Sequence, residues 1–294
     1  MQTLADIGED ALIRRLVAGL TFDAGVIAGP GDDCAVVRAP GAGEVLLLKT
    51  DVVVEGVHFT AATPASLIGR KAMARVISDF AAMAATPRYA LITLLAPPQT
   101  TVKRVVGIYT GLRRLAAEFG VNIVGGETSR AEQLSISVSL SGVARKGAYL
   151  GRGGGKPGDK LLVTGRLGGS IRGKHLRFQP RLDEARWLAR RFAIHAIMDI
   201  SDGLGKDLSR LCEASGLGFD VAMESLPRTR GCDVAQAWGD GEDYELLFAV
   251  APKVEQRLLR EWRKAFPKLE LTCIGQLTGQ RQGAKRNGGW DHFQ

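Results

Sequence analysis

Helix-period and strand-period segments alternate along this chain from one end to the other. That alternation confines it to folds in which helices and sheet share a core. Apolar residues recur at helical spacing over residues 10–20, 65–84, 102–119, 182–192, 204–215 and 253–266. Between them, runs rich in Val, Leu and Ile at 45–54, 89–96, 134–144, 160–164, 218–223 and 244–250 read as strands. The expected class is α/β or α+β. A length of 294 residues suggests two domains. Glycine clusters at Gly151, Gly153, Gly154, Gly155 and Gly158, within a stretch that makes a poor helix or strand. The expected division is therefore 1–146 and 147–294.

The second constraint is where the acids fall. The chain is basic overall, with 39 Lys and Arg against 31 Asp and Glu and a net charge of +8. Yet its carboxylates gather in short motifs beside glycine or apolar residues: Gly31-Asp32-Asp33, Thr50-Asp51, Ser78-Asp79, Gly125-Gly126-Glu127-Thr128, Asp199-Ile200-Ser201-Asp202-Gly203 and Gly241-Glu242-Asp243. Asp51 lies between Leu46-Leu47-Leu48 and Val52-Val53-Val54, and Asp79 belongs to a helix with no other charge from Val76 to Ala85. An ionised carboxylate there costs several kcal/mol unless a cation or hydrogen bonds compensate it. Helix capping explains such acids one at a time, and Asp202 ahead of the 204–215 helix is a fair example. Asp51 and Asp79 fall mid-element and resist it. Taken together, the motifs favour carboxylates converging on magnesium, a hard cation that leaves positions open for phosphate.

Magnesium on scattered carboxylates implies phosphoryl chemistry, usually with ATP. The common signatures are missing: there is no GxxxxGK[ST] loop, no protein-kinase set, no GxSxG elbow and no HExxH pair. Residues 153–158 fit GxGxxG, but Pro157 interrupts them and no strand leads in. The four cysteines lie far apart, the start of the chain lacks a signal-peptide pattern, and no run of about 20 apolar residues occurs. A cytoplasmic protein with no membrane partner is expected. The basic balance points to phosphate ligands, with nucleic acid resting on charge alone.

The motifs occur in a familiar order: GDDCA from Gly31, Thr50-Asp51, EGVHF from Glu55, SDFAAM from Ser78, GGET from Gly125, KPGD from Lys156, DISDGL from Asp199, GEDYEL from Gly241 and WDHF from Trp290. The chain resembles the thiamine-monophosphate kinases of the aminoimidazole-ribonucleotide-synthetase-like ATP-binding superfamily. That resemblance implies a two-domain fold, a homodimer with paired N-terminal sheets, and ATP-dependent phosphorylation of thiamine monophosphate to thiamine diphosphate with several magnesium ions. It makes Asp32, Thr50, Asp51, Asp79, Glu127, Asp199 and Asp202 metal ligands. Tyr109, Gly126, Arg152 and Ser201 become ATP contacts, and His58, Glu242 and Trp290 substrate contacts. No catalytic side chain is implied, because a phosphate monoester is already ionised near neutral pH and needs no strong base. Transfer is expected to be direct and in line, without a phosphoenzyme.

The sequence also departs from the family pattern. Glu127 stands where Asp is usual, Lys49 where Ser or Thr is usual, Val76 in place of Asn, and Ala84 in place of glycine. Two alternatives stay open. One is a superfamily member with a different acceptor; the other is an ATP- and magnesium-binding dimer with no turnover.

Overall fold

The computed structural model describes residues 4–18, 20, 22–39, 41, 43–279 and 289. The first half carries α1 (Leu4–Val17), β1 (Val26–Ala28), β2 (Ala35–Arg38), β3 (Glu44–Val54), α2 (Ala65–Ala82), β4 (Thr86–Ala96), α3 (Val102–Glu118), β5 (Asn122–Arg130) and β6 (Ser135–Arg145). Its six strands form one sheet in the order β1-β2-β3-β6-β4-β5, antiparallel except for the β4–β5 pair. Helix α2 packs on β3 and β6 and on α3. The opposite face of the sheet is open, with Leu48, Val52, Tyr89, Leu91 and Val124 all exposed.

The second half carries β7 (Lys160–Thr164), α4 (Leu182–Arg191), β8 (Ile194–Asp199), α5 (Leu204–Ser215), β9 (Gly218–Val221), α6 (Val234–Gly239), β10 (Leu246–Val250), α7 (Pro252–Ala265) and β11 (Leu271–Thr278). These strands form a separate antiparallel sheet, β8-β10-β7-β11-β9. Every residue of β10 is buried, as a strand covered on both faces requires. Leu247 and Ala249 join a core with α5 and α6, whereas Phe248 and Val250 join one with α4 and α7.

The halves meet along α2. This helix touches the first sheet on one side and α4 and β8 on the other, and 13 of its 18 residues are buried. It crosses α3 backbone to backbone. A Cβ on Gly69 would strike the Ile108 carbonyl, and one on Gly111 would strike the Ser66 carbonyl. Glycine is therefore required at both crossing points, and α2 is held without slack.

Several boundaries differ from the periodic reading. The helix over 65–84 stops at Ala82, because Ala84 takes φ 51°, a conformation that costs an L-residue about 1–2 kcal/mol. Part of that cost is offset because alanine is less free than glycine when unfolded. Ala84→Gly is thus expected to raise stability by roughly 0.5–1 kcal/mol, measured as a higher urea midpoint. The strand over 244–250 begins only at Leu246, since Glu242 and Tyr244 have φ 64° and 52°. The Gly125–Glu127 motif lies inside edge strand β5, with a register shift there. No helix among the described residues is long and apolar enough to cross a membrane.

Candidate active site between the two sheets

Strand alternation divides the β3 side chains. Val45, Leu47 and Val53 are buried on the α2 side, which puts Lys49 and Asp51 on that side too. Thr50 faces the open side, where its hydroxyl lies 3.3 Å from that of Ser137 and 3.1 Å from that of Ser139. From α2, Asp79 meets the Lys49 ammonium at 2.8 Å, and Ser78 Oγ donates to Asp199 Oδ2 at 2.6 Å. Asp199 ends β8, so the second sheet places it against the first.

Three carboxylates converge there. Asp33, Asp79 and Asp199 are buried and offer oxygens all within 4.8 Å of one another. Asp33 Oδ1 accepts from Arg152 Nη2 at 2.6 Å, but its Oδ2 is buried with no hydrogen-bond partner. Burial, with the Asp33 charge beside it, pushes the Asp199 carboxyl up to about 7. Burial pushes Asp79 well above its ordinary value despite Lys49, with Asp51 and Asp199 adding to the rise. Asp51 differs: burial opposes its ionisation, yet Lys49 and Arg75 outweigh burial and hold it below the usual carboxylate range. The cluster is therefore short of positive charge even with Lys49 present. Hard oxygen donors, an orphaned buried oxygen and uncompensated negative charge together fit a divalent cation.

Asp33 rather than Asp32 supplies the buried member of the Gly-Asp-Asp motif. Asp32 is half-buried and accepts the backbone N–H groups of Asp33 and Arg152. Asp202 does not cap α5. The N-cap position is Gly203, and Asp207 takes the N–H groups of Ser201 and Asp202, each at 2.9 Å. Asp202 instead pairs with Arg210 at 2.6 Å.

A cavity of about 1020 Å³ opens over this cluster, walled by Asp32, Lys49, Asp51, Asp79, Arg152 and Asp202. A second, of about 300 Å³, is lined by Glu242 and Tyr244. Val57, His58, Arg75, Ser201 and Asp202 line both. Behind the smaller cavity, Lys71 is fully buried and spans Glu242 at 2.6 Å, the His58 carbonyl at 2.6 Å and His175 Nδ1 at 2.8 Å. Burial opposes the Glu242 charge, but the His175 hydrogen bond and Lys71 overcome it and hold the carboxyl down at about 2. Burial lowers Lys71 to about 8, against the pull of Glu242. The small cavity thus presents a fixed anion, with Phe178 stacked on Tyr244 at 3.9 Å beside it.

The fold thus brings Asp32, Thr50, Asp51, His58, Asp79, Arg152, Asp199, Ser201, Asp202 and Glu242 around one seam. Tyr109, Gly126 and Glu127 lie away from both cavities. Tyr109 packs on the first core from α3, and Gly126 and Glu127 are exposed on β5. Gly126 has a structural reason of its own, because a Cβ there would meet the Ile92 carbonyl. Trp290 falls outside the described residues. Sequence alone does not single out Asp33, Lys71, Arg75 or His175. Lys71, Arg75 and Asp79 repeat every four residues along an otherwise apolar helix face, a spacing that marks them in retrospect.

Comparison with known proteins agrees with this architecture. The AIR synthase related protein N-terminal domain matches residues 31–144, and the corresponding C-terminal domain matches residues 136–285. The chain is 37% identical to a thiamine-monophosphate kinase of Rhodopirellula baltica, covering 87% of this chain and 84% of that one. It is 32% identical to the one of Aquifex aeolicus, covering 99% of both. Among solved structures, AaThiL complexed with AMPPCP and TMP superposes with a TM-score of 0.85 at 29% identity, covering 99% of both chains. E. coli HypE, a hydrogenase maturation protein, shares the fold at 20% identity, with a TM-score of 0.70 over 92% of each chain.

Proposed function

We propose, from the premise that the chain belongs to the AIR synthase related family and to its thiamine-monophosphate kinases, that it phosphorylates thiamine monophosphate by direct in-line transfer from ATP with magnesium held at the seam. The observation that carries this reading is the buried trio Asp33, Asp79 and Asp199, with its orphaned oxygen, beside a cavity that holds a fixed anion. Asp51, Asp32 and Asp202 would complete the ligand set around that trio, with Thr50 reaching it through its backbone carbonyl, since its hydroxyl faces the open side. Bound there, magnesium would neutralise the phosphate charge that develops during transfer.

The remaining work falls to the chain itself. Glu242, kept ionised by Lys71 and His175, suits the cationic ring of thiamine, and His58 borders the same cavity. Trp290 is assigned to stack on that ring. Arg152 and Ser201 face the larger cavity, where the nucleotide would lie, with the Arg152 guanidinium matched to phosphate. No side chain needs to act as a base, because the acceptor is already an anion.

We assign Tyr109, Gly126 and Glu127 to the nucleotide and metal through a homodimer. The open sheet face, with Leu48, Tyr89, Leu91 and Val124 exposed, supports a second copy seated there. The two domains are taken to divide at 146/147, between the end of β6 and the start of β7.

Incubation of the purified protein with ATP, magnesium and either thiamine monophosphate or free thiamine tests the reading. Thiamine diphosphate is expected from the monophosphate alone. Release of ADP without it would assign another acceptor, and ping-pong kinetics would reject direct transfer.

A further inference from the structure

Helix α2 presents Lys71, Arg75 and Asp79 at four-residue steps. They therefore share one face, about 6 Å apart along the axis. Two of the three have visible partners. Lys71 is bound to Glu242, His175 and the His58 carbonyl, while Asp79 belongs to the carboxylate cluster with Lys49. Arg75 lies between them and lines both cavities. Its Nε and Nη1 are buried and have no hydrogen-bond partner.

A buried guanidinium N–H left unpaired costs free energy. The cost is recovered if a ligand supplies the acceptor. The guanidinium is planar and always charged, and its N–H donors suit phosphate oxygens. Their position also narrows the choice of ligand. On one side lies the cavity with the fixed anion Glu242, suited to a cationic ring; on the other lie the carboxylates suited to metal. A molecule with a cationic ring in the small cavity and a phosphate aimed at the cluster must pass that phosphate over Arg75.

We infer that Arg75 receives the phosphate of the acceptor and is the residue by which the site selects phosphorylated thiamine over thiamine itself. The inference rests on the thiamine-phosphate kinase reading and deepens it. It assigns Arg75 a specificity role at the seam, distinct from the nucleotide contact assigned to Arg152. Asp51 and Glu242 are near enough for their charges to act on Arg75, so a purely structural role as their counter-ion is the rival.

Calorimetric titration of wild type, Arg75→Met and Arg75→Lys with thiamine monophosphate, thiamine and a non-hydrolysable ATP analogue separates the two. In Arg75→Met, affinity for the monophosphate is expected to fall about tenfold or more. Affinities for thiamine and the analogue should stay within about twofold. Arg75→Lys, which keeps the charge but not the planar guanidinium, should lose about threefold or more for the monophosphate only, and carries the test if the methionine variant does not fold. Equal loss for thiamine and its monophosphate would support the counter-ion role and overturn the inference. Loss confined to the analogue, or no loss at all, would overturn it equally. Failure of the kinase reading itself looks different, because wild type would then form no thiamine diphosphate.

Discussion

Asp79→Ala is expected to lower kcat/KM for thiamine monophosphate by about 10²–10³-fold or more, with the protein still folded. Asp79 touches every part of the cluster: it pairs with Lys49, stands with Asp33 and Asp199, and shares the larger cavity with Asp51. Losing it removes a charge that, in the proposed reaction, only the metal and phosphates would need. The fold does not need that charge. Asp79 is buried among like charges, and its carboxyl is pushed well above the ordinary range, so the ionised form weakens the native state at neutral pH. Lys49 retains Asp51 as a neighbouring charge. Steady-state kinetics alongside thermal unfolding checks both halves. A wild-type rate in a stably folded variant would remove the seam from the chemistry.

Asp199→Asn is expected to expose the same tension as a function of pH. In the folded chain the Asp199 carboxyl is pushed up to about 7 from 3.8, first by burial and then by Asp33. Between those values the folded state holds a proton that the unfolded state has released. Wild-type stability must therefore fall, relative to the asparagine variant, as pH rises from about 4 to about 7. Above and below that window the difference is level. In EDTA the variant's gain on wild type should build to roughly 7 °C across the window, while its amide still accepts from Ser78. Magnesium should then raise the wild-type melting temperature more than the variant's. An offset that is the same at every pH would show that Asp199 carries no shifted proton.

Much of the architecture can be read along the chain, and the failures have physical causes. The β7 strand and the α5 helix span the residues that the sequence marks, because β7 is a continuous apolar run buried on both faces and α5 lays one apolar face on a single core. Strand β5 escapes because Gly125 and Gly126 erase its pattern, and Gly126 is there for a close backbone contact with Ile92 of β4. Strand β11 is broken in the same way by the register shift next to Gly275.

At the site, motif composition points to most of the segments whose acids converge, since mid-element carboxylates need a shared explanation, but Glu127 on β5 lies apart. It does not identify which of two adjacent acids points inward. Asp32 and Asp33 differ only in the direction a short turn gives them. Lys71 is invisible for another reason: nothing near it in sequence shows that its partner, Glu242, lies 171 residues away and that both are enclosed together. Asp202 has the sequence position of a helix cap, two residues ahead of α5, yet Asp207 inside that helix takes the backbone donors.

The backbone contact that pins α2 at Gly69 and Gly111 has a consequence for how such a protein can vary. The helix acts as a caliper whose jaws are Lys71, at the Glu242 cavity, and Asp79, at the carboxylate cluster. One residue inserted between them would turn one jaw by about 100° relative to the other, and the crossing glycines leave no room for the helix to rotate back. Side chains on that face can be exchanged, but its length cannot. A change of acceptor would have to come through substitutions between Lys71 and Asp79 or through the loops opposite, never through an added or lost residue in between.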